Sequence, residues 1–190
     1  MSTIQTPTYT PAWNLPAPVT TGTTIQNFTD PNGEVWVAKN GVNSGMWFRA
    51  RDALHGIIYR NAAYNMPTAA AIIAYDAVLR DVYGMSTGAS NYGFAAPIPG
   101  WYLAFAMLQG TCTVANAFIQ GSIARNGTFW SSDNEFSALA SGGGLLWRTS
   151  ALLYLAAGDI VNVNAYNANG FAVSGSWMVN RLEFDYMGTG

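Results

Sequence analysis

The stretch that decides the fold is Gly100-Trp101-Tyr102-Leu103-Ala104-Phe105-Ala106-Met107-Leu108. Successive side chains of a β-strand point to opposite faces, so Trp101, Leu103, Phe105 and Met107 share one face and Tyr102, Ala104 and Ala106 the other. Both faces are apolar. A strand of this kind belongs in the middle of a two-layer core, or where one of its faces meets a neighbouring subunit.

Working outward, the same style continues. Downstream come ANAFIQGSIARNG (115–127), LLWRTSALLYLAAGD (145–159), IVNVNAYN (160–167) and SWMVNRLEFDYM (176–187). These are short β-prone runs separated by Gly, Asn, Ser or Asp. Leu152 to Ala157 has helical propensity, but it ends in Gly158-Asp159 and runs straight into Ile160-Val161, which favours strand, turn and strand. Upstream, FAAPIPG (94–100) reads with the deciding stretch as one β-prone run over 94–108, and before it lie a polar Gly-containing loop (84–91), AAIIAYD (70–76) and IIYRNAAY (57–64), the last two separated by Met66-Pro67-Thr68. Many short strands joined by turns predict a sandwich or barrel over 57–190.

The front of the chain differs. Between Thr24 and Asn43 it reads IQNFTDPNGEVWVAKNGVN, where Asp30-Pro31-Asn32-Gly33 predicts the turn of a small hairpin. MWFRARDALH (46–55) predicts a short helical turn or linker, so 24–56 reads as hairpin plus linker. Residues 1–23 are rich in Thr and Pro and predict an extended arm. Its Tyr9 and Trp13 are anchors suited to a neighbouring protein.

Of the 190 residues, half are hydrophobic and only 9% charged, far below the roughly 25% of an ordinary soluble domain. A chain this poor in charge is expected to cover much of its surface with copies of itself or with a larger assembly. No Asp, Glu, Lys or Arg occurs from Val82 to Ala124 or from Ile160 to Asn180. Asn, Ser, Thr and Gly interrupt both stretches, so no membrane span is predicted. A net charge of −2 supplies no basic field for nucleic acid. The N-terminus lacks the basic start and apolar core of a secretory signal. The single Cys112 is expected to be a small buried apolar residue in a chain made in a reducing cytoplasm.

Several passages resemble the tumour necrosis factor-like and complement globular-head jelly rolls. Phe94-Ala95-Ala96-Pro97-Ile98-Pro99-Gly100-Trp101-Tyr102 is similar to the "F-x-A-P-x-x-G-x-Y" opening of a core strand. Ile123 to Gly127 is similar to a strand ending in "N-G", and Leu152 to Val161 to the "L-x-L-x-x-G-D-x-V" signature. Ser176 to Leu182 stands where the closing "S-x-F-x-G-x-x-L" strand falls, with Trp177 for Phe and Asn180 for Gly. The resemblance implies an all-β antiparallel jelly-roll sandwich over 57–190, assembled around a threefold axis. The residues it implies for the core and the subunit contacts are Phe94, Trp101, Tyr102, Leu103 and Phe105, with Leu153, Tyr154, Leu155, Trp177 and Phe184.

TTIQNFTDPNGEVWVAKNGVNSGMWFRARDALH (23–55) resembles the N-terminal segment of small virion proteins of actinobacterial phages, described as minor tail or other minor structural proteins. Cellular jelly rolls of this kind carry a collagen stalk or membrane stem, and the glycines here have no three-residue period. The resemblance therefore implies a homotrimer on a virion surface. Tyr9, Trp13, Phe28 and Trp36 would attach it to other virion proteins of the tail or capsid. A host cell-surface glycan is a further candidate partner, because seven Trp and ten Tyr are enough to furnish both a core and a sugar-binding face. Capsid decoration is the alternative to tail adhesion; a soluble receptor ligand ranks below both.

Enzyme chemistry is not expected, and no cofactor or metal. His55 is the one histidine, with Asp52 beside it in sequence, and no spaced set of further ligands or nucleophile elbow accompanies it. Gly142-Gly143-Gly144 lacks the Lys and Ser/Thr of a phosphate loop. Asp133 and Glu135 are expected to share a loop, and Glu183 and Asp185 one face of a strand. Either pair fits the spacing of about 5–10 Å that glycoside hydrolysis requires, but a solvated loop and an ion-paired rim account for them better.

Overall fold

A computed structural model describes residues 25–39, 47–66, 68–90, 92–115, 118–136, 142–167, 171–176 and 178–189, without the side chains of 132–136. The expected arm with Tyr9 and Trp13 lies outside the described residues, as does Trp177.

The hairpin forms where the turn signal placed it. β1 (Gln26–Thr29) pairs antiparallel with β2 (Val35–Ala38), and β3 (Phe48–Arg49) adds a third strand. Asp30 organises the turn: Oδ1 accepts the backbone N–H of Asn32 (2.7 Å) and Glu34 (3.0 Å), and Oδ2 accepts Trp36 Nε1–H (3.0 Å). Desolvation works against the carboxylate, but these donors and the nearby Arg49 prevail and hold its pKa below the usual value. The helical turn α1 (Ala50–Ala53) follows.

Val35, Val37, Ala50 and Leu54 join the same buried cluster as the sandwich. The Tyr186 N–H donates to Leu54 O (3.0 Å), and Lys39 Nζ donates to Tyr83 O (2.6 Å). The hairpin is thus a flap on the sandwich, and the boundary expected between 56 and 57 falls inside β4 (His55–Tyr59).

Eleven further strands follow among the described residues: β5 (Tyr64–Asn65), β6 (Ala71–Ile72), β7 (Ala77–Asp81), β8 (Phe94–Ala95), β9 (Gly100–Cys112), β10 (Phe118–Arg125), β11 (Thr128–Phe136), β12 (Gly144–Leu155), β13 (Ile160–Asn167), β14 (Phe171–Val173) and β15 (Arg181–Gly188). The long sheet runs β5-β14-β9-β15-β4-β7, with β12 on the other side of β9; the second runs β11-β10-β13-β6, with β8 also on β13. Every pairing is antiparallel.

Three differences from the sequence reading stand out. The run 94–108 is two strands, β8 and β9, broken at Pro97-Ile98-Pro99, where two prolines remove ladder donors. β7 lies in a segment not read as a strand. Asp133 and Glu135 sit within β11 rather than in a loop; their side chains lie outside the description.

The inner faces meet in an apolar core. Phe184 of β15 stacks between Tyr102 (centroids 4.7 Å) and Phe94 (5.3 Å), and Tyr102 Oη–H donates to Ile98 O (2.8 Å). Burial, only partly offset by that bond, raises the Tyr102 pKa strongly. Farther along, the sheets touch where a Cβ on Gly121 would come within 2.3 Å of the Trp147 ring, so only glycine fits. Cys112 is buried and free.

Two motif turns clasp each other at one end. Asn126-Gly127, both at positive φ, closes β10 onto β11. Asn126 Nδ2 donates to Asp159 Oδ1 (2.6 Å), Asn126 Oδ1 accepts the Ile160 N–H (2.8 Å), and Arg125 pairs with Asp159 (2.7 Å). Asp159 Oδ2 also accepts the Ala156 N–H (2.8 Å). Desolvation is outweighed by these partners, so the Asp159 pKa is lowered.

Candidate functional site: the outer face of the long sheet

β9 is central in the long sheet, so its alternation fixes what that sheet shows outward. Tyr102, Ala104, Ala106 and Leu108 are buried on the core side, while Trp101, Leu103, Phe105 and Met107 lie on the outer side. The register carries the pattern across neighbours. On β12, Tyr154 stands opposite Trp101, Leu152 opposite Leu103, Ser150 opposite Phe105 and Arg148 opposite Met107. On β15, Asp185 stands opposite Leu103, Glu183 opposite Phe105 and Arg181 opposite Met107, and His55 of β4 follows Asp185.

The result is an apolar corner beside a charged band. At the corner Trp101 (38% exposed), Tyr154 (48%) and Leu152 (58%) are large and open to solvent, with Trp101 and Tyr154 edge to face at 5.4 Å; Leu146 (42%) lies apart, toward the other end of β12 opposite Gln109. In the band Arg181 pairs with Glu183 and His55 Nδ1 meets Asp185, while Arg148 of β12, opposite Met107, is exposed. Fully covering aliphatic or aromatic side chains is worth roughly 1.5–3 kcal/mol each, which suits a protein surface rather than water.

No family model matches the sequence, and no curated protein matches it. Solved structures do. The chain superposes on Eiger TNF from S. frugiperda with TM-score 0.55 and 11% identity, covering 72% of this chain and 94% of that one. The globular domain of zebrafish complement 1qA gives TM-score 0.51 and 12% identity, over 72% and 98%. Murine APRIL gives TM-score 0.51 and 17% identity, over 70% and 99%. The chain folds as a TNF/C1q-like jelly roll. At these identities the likeness concerns the fold alone.

Within this jelly roll the expected contact residues separate into two sets. Phe94, Tyr102, Leu153, Leu155 and Phe184 are core, buried between the sheets; Trp101, Leu103, Phe105 and Tyr154 lie on the outer face. Leu146, Leu152 and Met187 share the exposed apolar surface of these strands and were not singled out, although Leu146 and Leu152 alternate in phase with Tyr154. Among the expected attachment residues, Phe28 is half-buried beside the Trp47 ring (6.3 Å). Trp36 corrects its expectation. It is 7% exposed, bonded to Asp30 and capped by Arg49 (5.7 Å), so it holds the flap together rather than facing a partner.

His55 likewise meets Asp185, far away in sequence, rather than making a site with Asp52. Among the described residues no helix is long and apolar enough to cross a membrane.

Proposed function

We propose that this chain is a structural protein of a bacteriophage particle, a jelly roll that trimerises through the outer face of its long sheet. It stands on the virion surface, held by its N-terminal arm, and serves at the tail as a host-adhesion protein. The observation that carries the trimer is the open corner of Trp101, Leu152 and Tyr154 on a chain with 9% charged residues. In an isolated monomer that corner would be a hydrophobic patch with no cover. The likeness of residues 23–55 to phage minor structural proteins supports the virion setting. Tyr9 and Trp13 in the arm, with Phe28 in the flap, are the attachment residues of this reading.

Two measurements test it. Sedimentation equilibrium of the isolated protein at micromolar concentration should give a trimer; a stable, non-aggregating monomer overturns the assembly. Quantitative mass spectrometry with gold-labelled antibody on purified particles should find a few copies at the tail end. Copies spread across the shell instead assign the chain to capsid decoration, and absence from particles overturns the virion reading.

A further inference from the structure

The outer face of the second sheet carries a small pocket of about 180 Å³. The register builds it: on β10 and β13, Gln120 stands opposite Tyr166 and Ser122 opposite Asn164. Phe129 of β11, opposite Ala124, closes one side. None of the lining residues is charged.

Phe129 is placed by a defect in the ladder. The register of β10 with β11 shifts between Ile123 and Ala124, leaving Trp130 as an extra residue. A regular strand would turn one of two consecutive aromatics inward; the bulge leaves both out, Phe129 59% and Trp130 58% exposed. The Tyr166 ring is steadied edge-on by Phe118 at 5.7 Å.

Among the described residues the polar groups are uncommitted. The side-chain amides of Gln120 and Asn164 make no hydrogen bond among the described residues, and the Ser122 hydroxyl has only a long 3.5 Å contact to the Asn164 carbonyl. Nearby Arg125 lies over Trp130 (6.0 Å), but it is already paired with Asp159.

We propose that this pocket binds one ring of a neutral saccharide. A pyranose offers an apolar C–H face to an aromatic ring and a rim of hydroxyls that both donate and accept. Amides and a hydroxyl beside Phe129 and Tyr166 match that chemistry. A purely apolar ligand would strip water from two amides and leave them unpaired. An anion would find no free cation in the lining. The volume lies below the roughly 300–1,000 Å³ of drug-sized pockets, so a single ring is the fitting unit. The inference deepens the adhesion reading and rests on it for its biological setting. The pocket lies within one subunit and does not depend on the trimer.

The test is an NMR titration of the full chain with the methyl glycosides of glucose, galactose, mannose and N-acetylglucosamine, using N-acetylneuraminic acid as the acidic comparison. At least one neutral sugar should give saturable amide shifts at 120–122, 129 and 164–166 at millimolar concentration. Phe129→Ala and Asn164→Ala should each weaken it by about tenfold, whereas Leu79→Ala on the edge of the other sheet should not. No shifts with any neutral sugar, shifts centred elsewhere, binding of the acidic sugar alone, or unchanged binding in both variants overturns the proposal. Sedimentation of the same samples keeps the two readings apart: a trimer without sugar shifts removes the pocket alone, and a sugar-binding monomer removes the trimer alone.

Discussion

The two outer faces of the sandwich are built on the same period-two rule and end with opposite chemistry. Across β12 and β9, apolar faces apolar: Tyr154 opposite Trp101, Leu152 opposite Leu103. Across β10 and β13, amide faces ring and hydroxyl faces amide: Gln120 opposite Tyr166, Ser122 opposite Asn164. Removing water from the corner of Trp101, Leu152 and Tyr154 on the first face costs little, since those side chains offer it mostly apolar surface. Removing water from the second costs unmade hydrogen bonds unless the arriving molecule replaces them. The first therefore suits another protein surface, and the second suits water or a hydroxyl-rich ligand.

The sharpest way to break the contrast is Leu152→Asp. In the proposed assembly it places an uncompensated carboxylate under each partner, at about 3–5 kcal/mol per site, or roughly two to three and a half powers of ten in the association constant per site. Sedimentation should show monomers. Because Leu152 is exposed in the subunit, the melting temperature of the monomer should change little. A variant that stays trimeric shows that another face assembles.

Next in size is Gly121→Ala. Its Cβ would press into the Trp147 ring across the core, an overpacking of about 1–3 kcal/mol, read as a fall in melting temperature of roughly 2–4 °C per kcal/mol. Gly121 also lines the small pocket. The substitution should therefore weaken sugar binding while the distant assembly face keeps its partners, so one core change should divide the two activities.

A smaller effect is expected at the clasp that ends the second sheet. Asp159→Asn should cost about 1–2 kcal/mol at neutral pH, because the ion pair and the charge-assisted bonds weaken. The folded pKa of Asp159 is lowered from its usual 3.8. Its contribution is thus complete above that value and is lost as pH falls through the lower folded value. Urea unfolding of protein and variant should differ most near neutrality and converge below pH 3.8. A gap that widens on acidification contradicts the assigned sign.

Features that depend on local pattern were legible in the sequence. The alternation of β9 gave both its faces, Asn126-Gly127 its turn, and Leu152 to Val161 its strand, turn and strand. Features that depend on pairing were not. Val78, Leu79 and Arg80 of β7 are all exposed at a sheet edge, so burial imposes no alternation to read. The partner of His55 is set by the register of β4 on β15. Trp36 looks like an anchor by type and becomes flap core because Asp30 can bond its indole. The bulge beneath Phe129 is a mismatch between two strands, which neither strand displays alone.

That bulge underlies the smallest expected effect on stability and the cleanest separation of the faces. Phe129→Ala removes an exposed ring, so unfolding free energy should stay within about 0.5 kcal/mol and the sedimentation profile should not move. What should change is the titration with neutral glycosides, because the lost ring is the surface on which a C–H face would stack. If the variant instead loses stability by more than about 1 kcal/mol, Phe129 is packing against structure rather than waiting for a ligand. The amide face would then be a covered surface like its counterpart, and the contrast between the two sheets would fail at its root.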